Sequence, residues 1–341
     1  MANIRNTVHG KRTPTEYEAI TVSPLVNLKC VKYSVRDVAC IPKRDLVALV
    51  TYSNKVYIYS YETKGEPLRV FRKHKNYVSA LVHLSDDILA SVDESGVLVT
   101  WRSGTCAVLD KLQVSEHKNW AITKVSSTHL LVGTHGAEVI RVRHDNGRNL
   151  AVKNRVKVNS FKWIEKMASY NDICAVVWEN NGQILNNATG NILHDFQDNK
   201  TKRINAVAVS ENFIVTGGRD GQIYVREIGD GYELLRTVNL RDIYNSGFRL
   251  LNIVHLTFLS VDIVMVVTLN TGLFFVSVES GICISHFKLQ DSEGLHRAAA
   301  LSDGRICAGG PGHYCVIFQP PPESCGLHQL LCRKDVDVGR D

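Results

Sequence analysis

Short runs of alternating or continuous apolar residues, broken by Gly, Asn, Asp and Pro, fill the chain from Val31 to Phe318. The runs are rich in β-branched and aromatic residues, which predicts strands. Two stretches set the pattern. Leu89 to Trp101, LASVDESGVLVTW, reads as two strands around a Ser95-Gly96 turn. Ile214 to Arg226, IVTGGRDGQIYVR, repeats that layout around Asp220-Gly221. Seven turn markers follow in order: Asn54-Lys55, Ser95-Gly96, His135-Gly136, Asn181-Gly182, Asp220-Gly221, Thr271-Gly272 and Pro311-Gly312. Their second members lie 41, 40, 46, 39, 51 and 40 residues apart, the period of a four-stranded repeat.

The opening run of each unit recurs in phase with the turns. VRDVACI, VSALVHL, AITKVSS, FKWIEKM, INAVAVS, LLNIVHL and LHRAAAL begin near residues 35, 78, 121, 161, 204, 250 and 295. Two periodic signals in phase predict an all-β chain, a seven-bladed β-propeller. The seventh unit ends at Phe318, because Gln-Pro-Pro-Pro cannot continue a ladder. Tyr17 to Ser23, YEAITVS, alternates as a strand should. It is the expected outer strand of the last blade, which makes the fold a ring closed by an N-terminal strand. The expected organisation is an N-terminal arm over residues 1–16, the propeller over 17–318 and a C-terminal tail over 319–341.

With 44% hydrophobic and 22% charged residues, the chain has ample material for a core. No apolar run approaches a membrane span of roughly 18 residues, and the N-terminus lacks an apolar signal segment. Nine cysteines include no C-x-x-C pair, so buried thiols in a reducing compartment are expected, in the cytoplasm or the nucleus. Nucleophile-elbow, zinc-protease, phosphate-loop and dinucleotide motifs are all missing. The expectation is no catalytic residue, no metal and no cofactor.

The repeats resemble those of the WD-repeat propellers, over about residues 17–318. Blade two carries the best match. His74 stands at that family's loop His, Ser91 and Trp101 at its Ser and Trp, and Ser95 where an Asp is usual. In blade five Asp220 and Thr216 are in place, with Lys200 at the His position and Arg226 at the Trp position. In the family, His, Asp, Ser and Trp form one hydrogen-bonded chain, and the resemblance implies three of its four members in blade two. It also implies a non-catalytic interaction scaffold, a subunit or adaptor of a multiprotein complex.

A net charge of +6 is a mild bias towards acidic partners. In a propeller of this type, Lys73, Lys75, Lys118, His135, Lys162, Lys200, Lys202, Arg203 and Arg219 would share one face. Fewer acids share those loops: Glu94, Glu116, Asp198 and Asp220. A positive rim over blades two to five would suit an acidic or phosphorylated peptide or nucleic acid, as in a substrate receptor of a ubiquitin ligase. Lys200, Lys202, Arg203 and Arg219 would meet around blade five. Trp120, Tyr77 and Tyr244 are candidate interface anchors, and Trp163 and Trp178 read as core.

Overall fold

The computed structural model describes residues 18–22, 24–28, 33–158, 162–198, 203–229, 231–244, 251–289, 294–311, 315–321 and 326–331. They form seven sheets in a ring. In each, the strands that follow one another along the chain pair antiparallel as a meander, and two of the sheets also take in a strand from near the N-terminus. The fold is the expected seven-bladed β-propeller.

Burial explains why the strands read so differently. The second strand of each blade is enclosed on both faces by the adjacent blades. Leu46–Thr51, Ile88–Asp93 and Phe213–Gly218 are buried at every position. That is why their sequences are continuous apolar runs rather than alternations. The outer strands have one free flank, and Ile192–Gln197 and Leu234–Asn239 are mostly exposed. Seven buried apolar clusters occupy the seven seams between neighbouring blades. Close approach demands small residues at some crossings. A Cβ on Gly309 would lie 2.4 Å from Val35 of blade one, so only glycine fits that seam.

The ring closes by a different strand from the one expected. Strand β1 (Glu18–Val22), within the YEAITVS run, pairs in parallel with Cys283–Leu289 and becomes a fifth strand of blade six. Strand β2 (Pro24–Asn27) follows it and pairs antiparallel with Cys315–Phe318, completing blade seven. Pro24 is tolerated because it opens the strand on a sheet edge. Leu28 ends the clasp, its N–H donating to the Cys315 carbonyl at 2.8 Å and its side chain buried in the seam between blades seven and one. The segment expected as a free tail is partly docked. A short helix, Gly326–Leu331, sets Leu327 and Leu331 into the cluster between blades six and seven. Residues 1–16, with Tyr17 and Ser23 of the expected strand, lie outside the described residues.

Blade four also departs from the expected register. Its inner strand is Lys166–Tyr170, so Lys162 to Glu165 of the FKWIEKM run precede it, and Phe161 lies outside the described residues.

Removing residues 1–22 strips an added edge from blade six, whereas removing residues 1–27 leaves blade seven with three strands. The longer deletion is therefore expected to lower the melting temperature further than the shorter one, and to broaden the transition. Thermal melts of the two deletions followed by circular dichroism check this, and equal melting temperatures would remove β2 as the closing strand.

Candidate functional site

The loops that enter the inner strands and the turns between second and third strands project from one face, here called the upper face. Blade two shows how those loops are held. His74 is buried, with Nδ1 2.8 Å from Asp93 Oδ2 and Nε2 2.7 Å from Ser91 Oγ. Trp101 Nε1 donates to Ser91 Oγ at 3.0 Å. The roles then follow. The Ser91 hydroxyl accepts from Trp101 and donates to Nε2, and the Nδ1 proton goes to Asp93. All four members of the hydrogen-bonded chain are therefore present. The carboxylate comes from Asp93, not from the Ser95 position. Ser95 instead donates to Asp93 Oδ1 through its hydroxyl at 2.6 Å and its amide at 3.0 Å. Burial pushes the Asp93 carboxyl up, but bonds from His74 and Ser95 outweigh it and hold it below the ordinary aspartate value.

Blade five reaches the same end with different chemistry. Asp198 is buried where the loop turns in, accepts a bond from Thr216 Oγ1, and pairs with Arg226 at 2.5 Å. The Arg226 guanidinium lies 4.7 Å above the Phe196 ring, much as Trp101 stacks on Phe71 at 4.1 Å. Asp220 turns to the Tyr224 hydroxyl instead, at 2.8 Å. Asp198, expected in an exposed loop, is thus part of the blade's interior.

Of the nine expected surface groups, seven lie among the described residues, and three of those are matched by acids. Lys73, Lys75 and Arg219 are exposed without an ion pair among the described residues. Lys118 pairs with Glu94 at 2.8 Å, Lys162 with Glu179 at 3.3 Å, and Arg203 with Glu165 at 2.6 Å. Lys200 and Lys202 lie outside the described residues. Of the expected blade-five cluster, Arg203 is already matched by Glu165 of blade four. His135 is stacked between Trp120, at 4.8 Å, and Trp163, at 5.0 Å. Burial, then the nearby Lys118, pushes its imidazole below the ordinary value, so it is neutral at pH 7.

Those rings belong to a longer array. The Arg36 guanidinium sits 4.6 Å from the Tyr52 ring and 4.5 Å from the Trp120 ring, and donates to Glu94 at 2.9 Å. Tyr52, Arg36, Trp120, His135 and Trp163 thus run across blades one, three and four. Tyr52 is 48% exposed and Trp163 47%, so Trp163 is a surface residue and not the core residue expected. Trp178 is buried as expected.

The array borders the mouth of the central channel, and a backbone device puts it there. In blades one, two, three, five and six the register slips once near the start of the inner strand. The slipped residue has no ladder partner. These residues are Arg36, Ser79, Trp120, Asn205 and Val254, and all line the channel mouth. A β-bulge re-aims a side chain in this way. Blades four and seven lack the slip there and supply Lys166 and Arg297. The seven residues make a ring with three cations and no acid. The mouth has a volume of 290 Å³ and opens into a 620 Å³ channel below. Sequence reasoning missed Arg36, Tyr52, Lys166 and Arg297. The recurrent step from an apolar residue to a polar one, as in VRD, VSA and INA, was the available signal.

Among the described residues, no group of three or more His, Cys, Asp or Glu comes together as a metal site. No helix there is long and apolar enough to cross a membrane.

No protein-family model matches the chain. Among curated proteins, the E3 ubiquitin-protein ligase COP1 of Arabidopsis thaliana is 26% identical over 179 residues, which is 51% of this chain. The chain spans 25% of that protein's length.

Two substitutions test the reading of the blades. Asp93→Asn replaces an acceptor with a donor facing His74 and Ser95, and is expected to cost about 1–3 kcal/mol, against about 1 or less for Ser95→Ala. Because the Asp93 carboxyl is depressed in the folded state, its contribution is present at neutral pH and fades as pH falls through that depressed value. Urea titrations at neutral and acid pH should therefore show the gap between wild type and Asp93→Asn narrowing as pH falls below the ordinary aspartate range. In blade five, Arg226→Met strands a buried carboxylate and should cost about 3–5 kcal/mol. A Ser95→Ala loss as large as that of Asp93→Asn would return the carboxylate role to the Ser95 position.

Proposed function

We propose that this chain is a degenerate WD-repeat propeller acting as a non-catalytic interaction scaffold, a subunit or adaptor of a larger assembly. It docks a partner protein on its upper face. The observation that carries this reading is the array of Tyr52, Arg36, Trp120, His135 and Trp163. Tyr, Trp and Arg are the side chains that dominate binding energy at protein interfaces, and stacked rings lose little freedom on binding. Here they are pre-ordered by ring stacking and by Glu94, which draws Arg36 and Lys118 together. Tyr77, 52% exposed, and the cations Lys73 and Lys75 lie on the same face of blade two.

The charge pattern favours a protein over nucleic acid. Three of the expected phosphate-contacting cations are matched by Glu94, Glu165 and Glu179, and a duplex requires uncompensated ones. Free thiols buried in the blades, Cys174, Cys283, Cys307 and Cys315, fit a reducing compartment such as the cytoplasm or nucleus. A second reading comes from the partial similarity to an E3 ubiquitin-protein ligase. In that reading, the docked partner is a substrate presented for ubiquitin transfer.

The test is comparative purification from the protein's own cells. Tagged wild type, a Tyr52→Ala/Trp163→Ala variant and a Leu193→Ala/Leu235→Ala control on the outer strands are purified and their co-purifying proteins quantified. Truncating two hot-spot residues should deplete at least one partner about tenfold or more, while the control retains it. Matching melting temperatures show that the ring is intact. Identical partner profiles for all three proteins would overturn the reading.

A further inference from the structure

The channel mouth carries chemistry that the docking array does not use. Among the described residues, the Lys166 amine has no hydrogen bond or salt bridge, although it is only partly exposed and lines the lumen. Burial, then the charge of Arg297, pushes its amine down to about 7. Arg297 is itself buried and lines the same space. One of its nitrogens donates to the Val254 and His296 carbonyls at 2.9 Å each, and its nearest carboxylate, Asp37, lies 3.7 Å away. Asp37 already accepts from the amides of Val38 and Leu81 at 3.1 and 3.0 Å. The Ser79 hydroxyl, 6% exposed and on the same ring, has no partner among the described residues.

The other ionisable groups of the mouth do not neutralise this set. Glu165 is bonded to Arg203 at 2.6 Å and to the amide of Glu179 at 3.3 Å. Arg36 is held by Glu94, and Arg219 adds a further exposed cation at the mouth. His255 lines the channel near Arg297 and Lys166 and is held neutral, loss of hydration being the main cause. An unsatisfied buried hydroxyl is costly unless something supplies the missing partner, and two cations without an acid at hydrogen-bond distance beside it favour an anion there.

We propose that the upper channel is an oxyanion-binding site, in which a phosphate or carboxylate group is held between Lys166 and Arg297 with the Ser79 hydroxyl as a further donor. It takes a single group, since 290 Å³ at the mouth admits a side chain or a small acid but not a folded surface. The inference rests on the upper face being the docking side, and adds what enters the channel: an acidic or phosphorylated side chain on the docked segment, or a free oxyanion. Binding such a group restores charge to Lys166, because an anion at hydrogen-bond range favours the ammonium.

Pyridoxal 5′-phosphate tests this on the full-length chain, because it carries both a phosphate and an amine-reactive aldehyde. The Lys166 amine adds to the aldehyde, water leaves, and borohydride delivers hydride to the resulting C=N bond. Mass spectrometry of tryptic peptides then locates the adduct. At neutral pH, Lys166 should be labelled about tenfold or more in preference to any exposed lysine. Pyridoxal without its phosphate should lose that preference. Inorganic phosphate should protect Lys166 if a free oxyanion is the natural occupant. Protection by a phosphoserine or glutamate peptide at far lower concentration identifies the docked segment instead. Labelling spread over exposed lysines, or labelling of Lys166 that neither phosphate nor peptide suppresses, would overturn the proposal.

A second measurement covers the chance that Lys166→Met perturbs folding. Ser79→Ala, a smaller change, should raise the phosphate concentration needed for half-protection several-fold in a ring with an unchanged melting temperature. Unchanged protection would remove Ser79 from the site. The outcomes separate from those of the docking reading. Unselective labelling, with partners still lost from the Tyr52→Ala/Trp163→Ala variant, removes the channel site and leaves the docking face. Protected labelling with unchanged partner profiles does the reverse.

Discussion

A single blade cannot bury its own faces. Its second strand is apolar on both sides, so each sheet needs a neighbour on the left and another on the right. A row of such sheets always leaves two apolar ends, and only closure removes them. Everything else in the architecture follows from that constraint. The seven clusters at the seven seams are one solution repeated, and the N-terminal clasp completes it. Strands β1 and β2 are consecutive in sequence but belong to blades six and seven, so one short segment ties two late blades to the start of the chain. The cost of this closure is long-range pairing that forms only when the rest of the ring is in place.

The closed ring also fixes where chemistry can appear. Inner strands converge on an axis, and their side chains crowd there. The chain relieves the crowding with a register slip at the same place in five blades, which leaves one unpaired residue per slip at the channel mouth. That residue escapes the ladder and is free to vary. The positions hold Arg, Ser, Trp, Asn and Val. Packing sets the frame and the slip exposes a variable position within it, so the mouth can specialise without disturbing the seams.

Fold and site were unequally legible in the sequence. Turn spacing and strand composition carry the blade count, because both arise from local geometry repeated seven times. The closing strand was harder. YEAITVS alternates well, while PLVN begins with a proline and is short, so pattern alone favours the wrong segment. Parallel pairing to blade six leaves no local mark. Asp93 was missed for a similar reason. It lies two residues after Ser91 rather than four, and a tight turn brings either position near the loop His. Trp163 sits in a run whose alternation imitates a strand, and only the start of the ladder at Lys166 shows that it belongs to a loop. The ion pairs of Lys118 and Arg203 join residues from adjacent blades, which no spacing within one repeat can reveal, and that of Lys162 joins two loops of blade four.

Those pairs change where selectivity should be sought. Counted along the sequence, the upper face is a broad positive surface. Counted in space, Glu94 and Glu165 answer Lys118 and Arg203 across the seams and Glu179 answers Lys162 within blade four, and the remaining pull of each exposed pair is small and screened. Their work is to hold neighbouring loops in register, as the Asp198–Arg226 pair does inside blade five. Among the described residues, Lys73, Lys75 and Arg219 stay unpaired in bulk water, whereas Lys166 and Arg297, which have no acid at hydrogen-bond distance, face the axis, where a charge shielded from bulk water is worth more. A ring that pairs part of its surface charge for its own cohesion can still discriminate, provided it keeps uncommitted charge at the one place that every blade reaches.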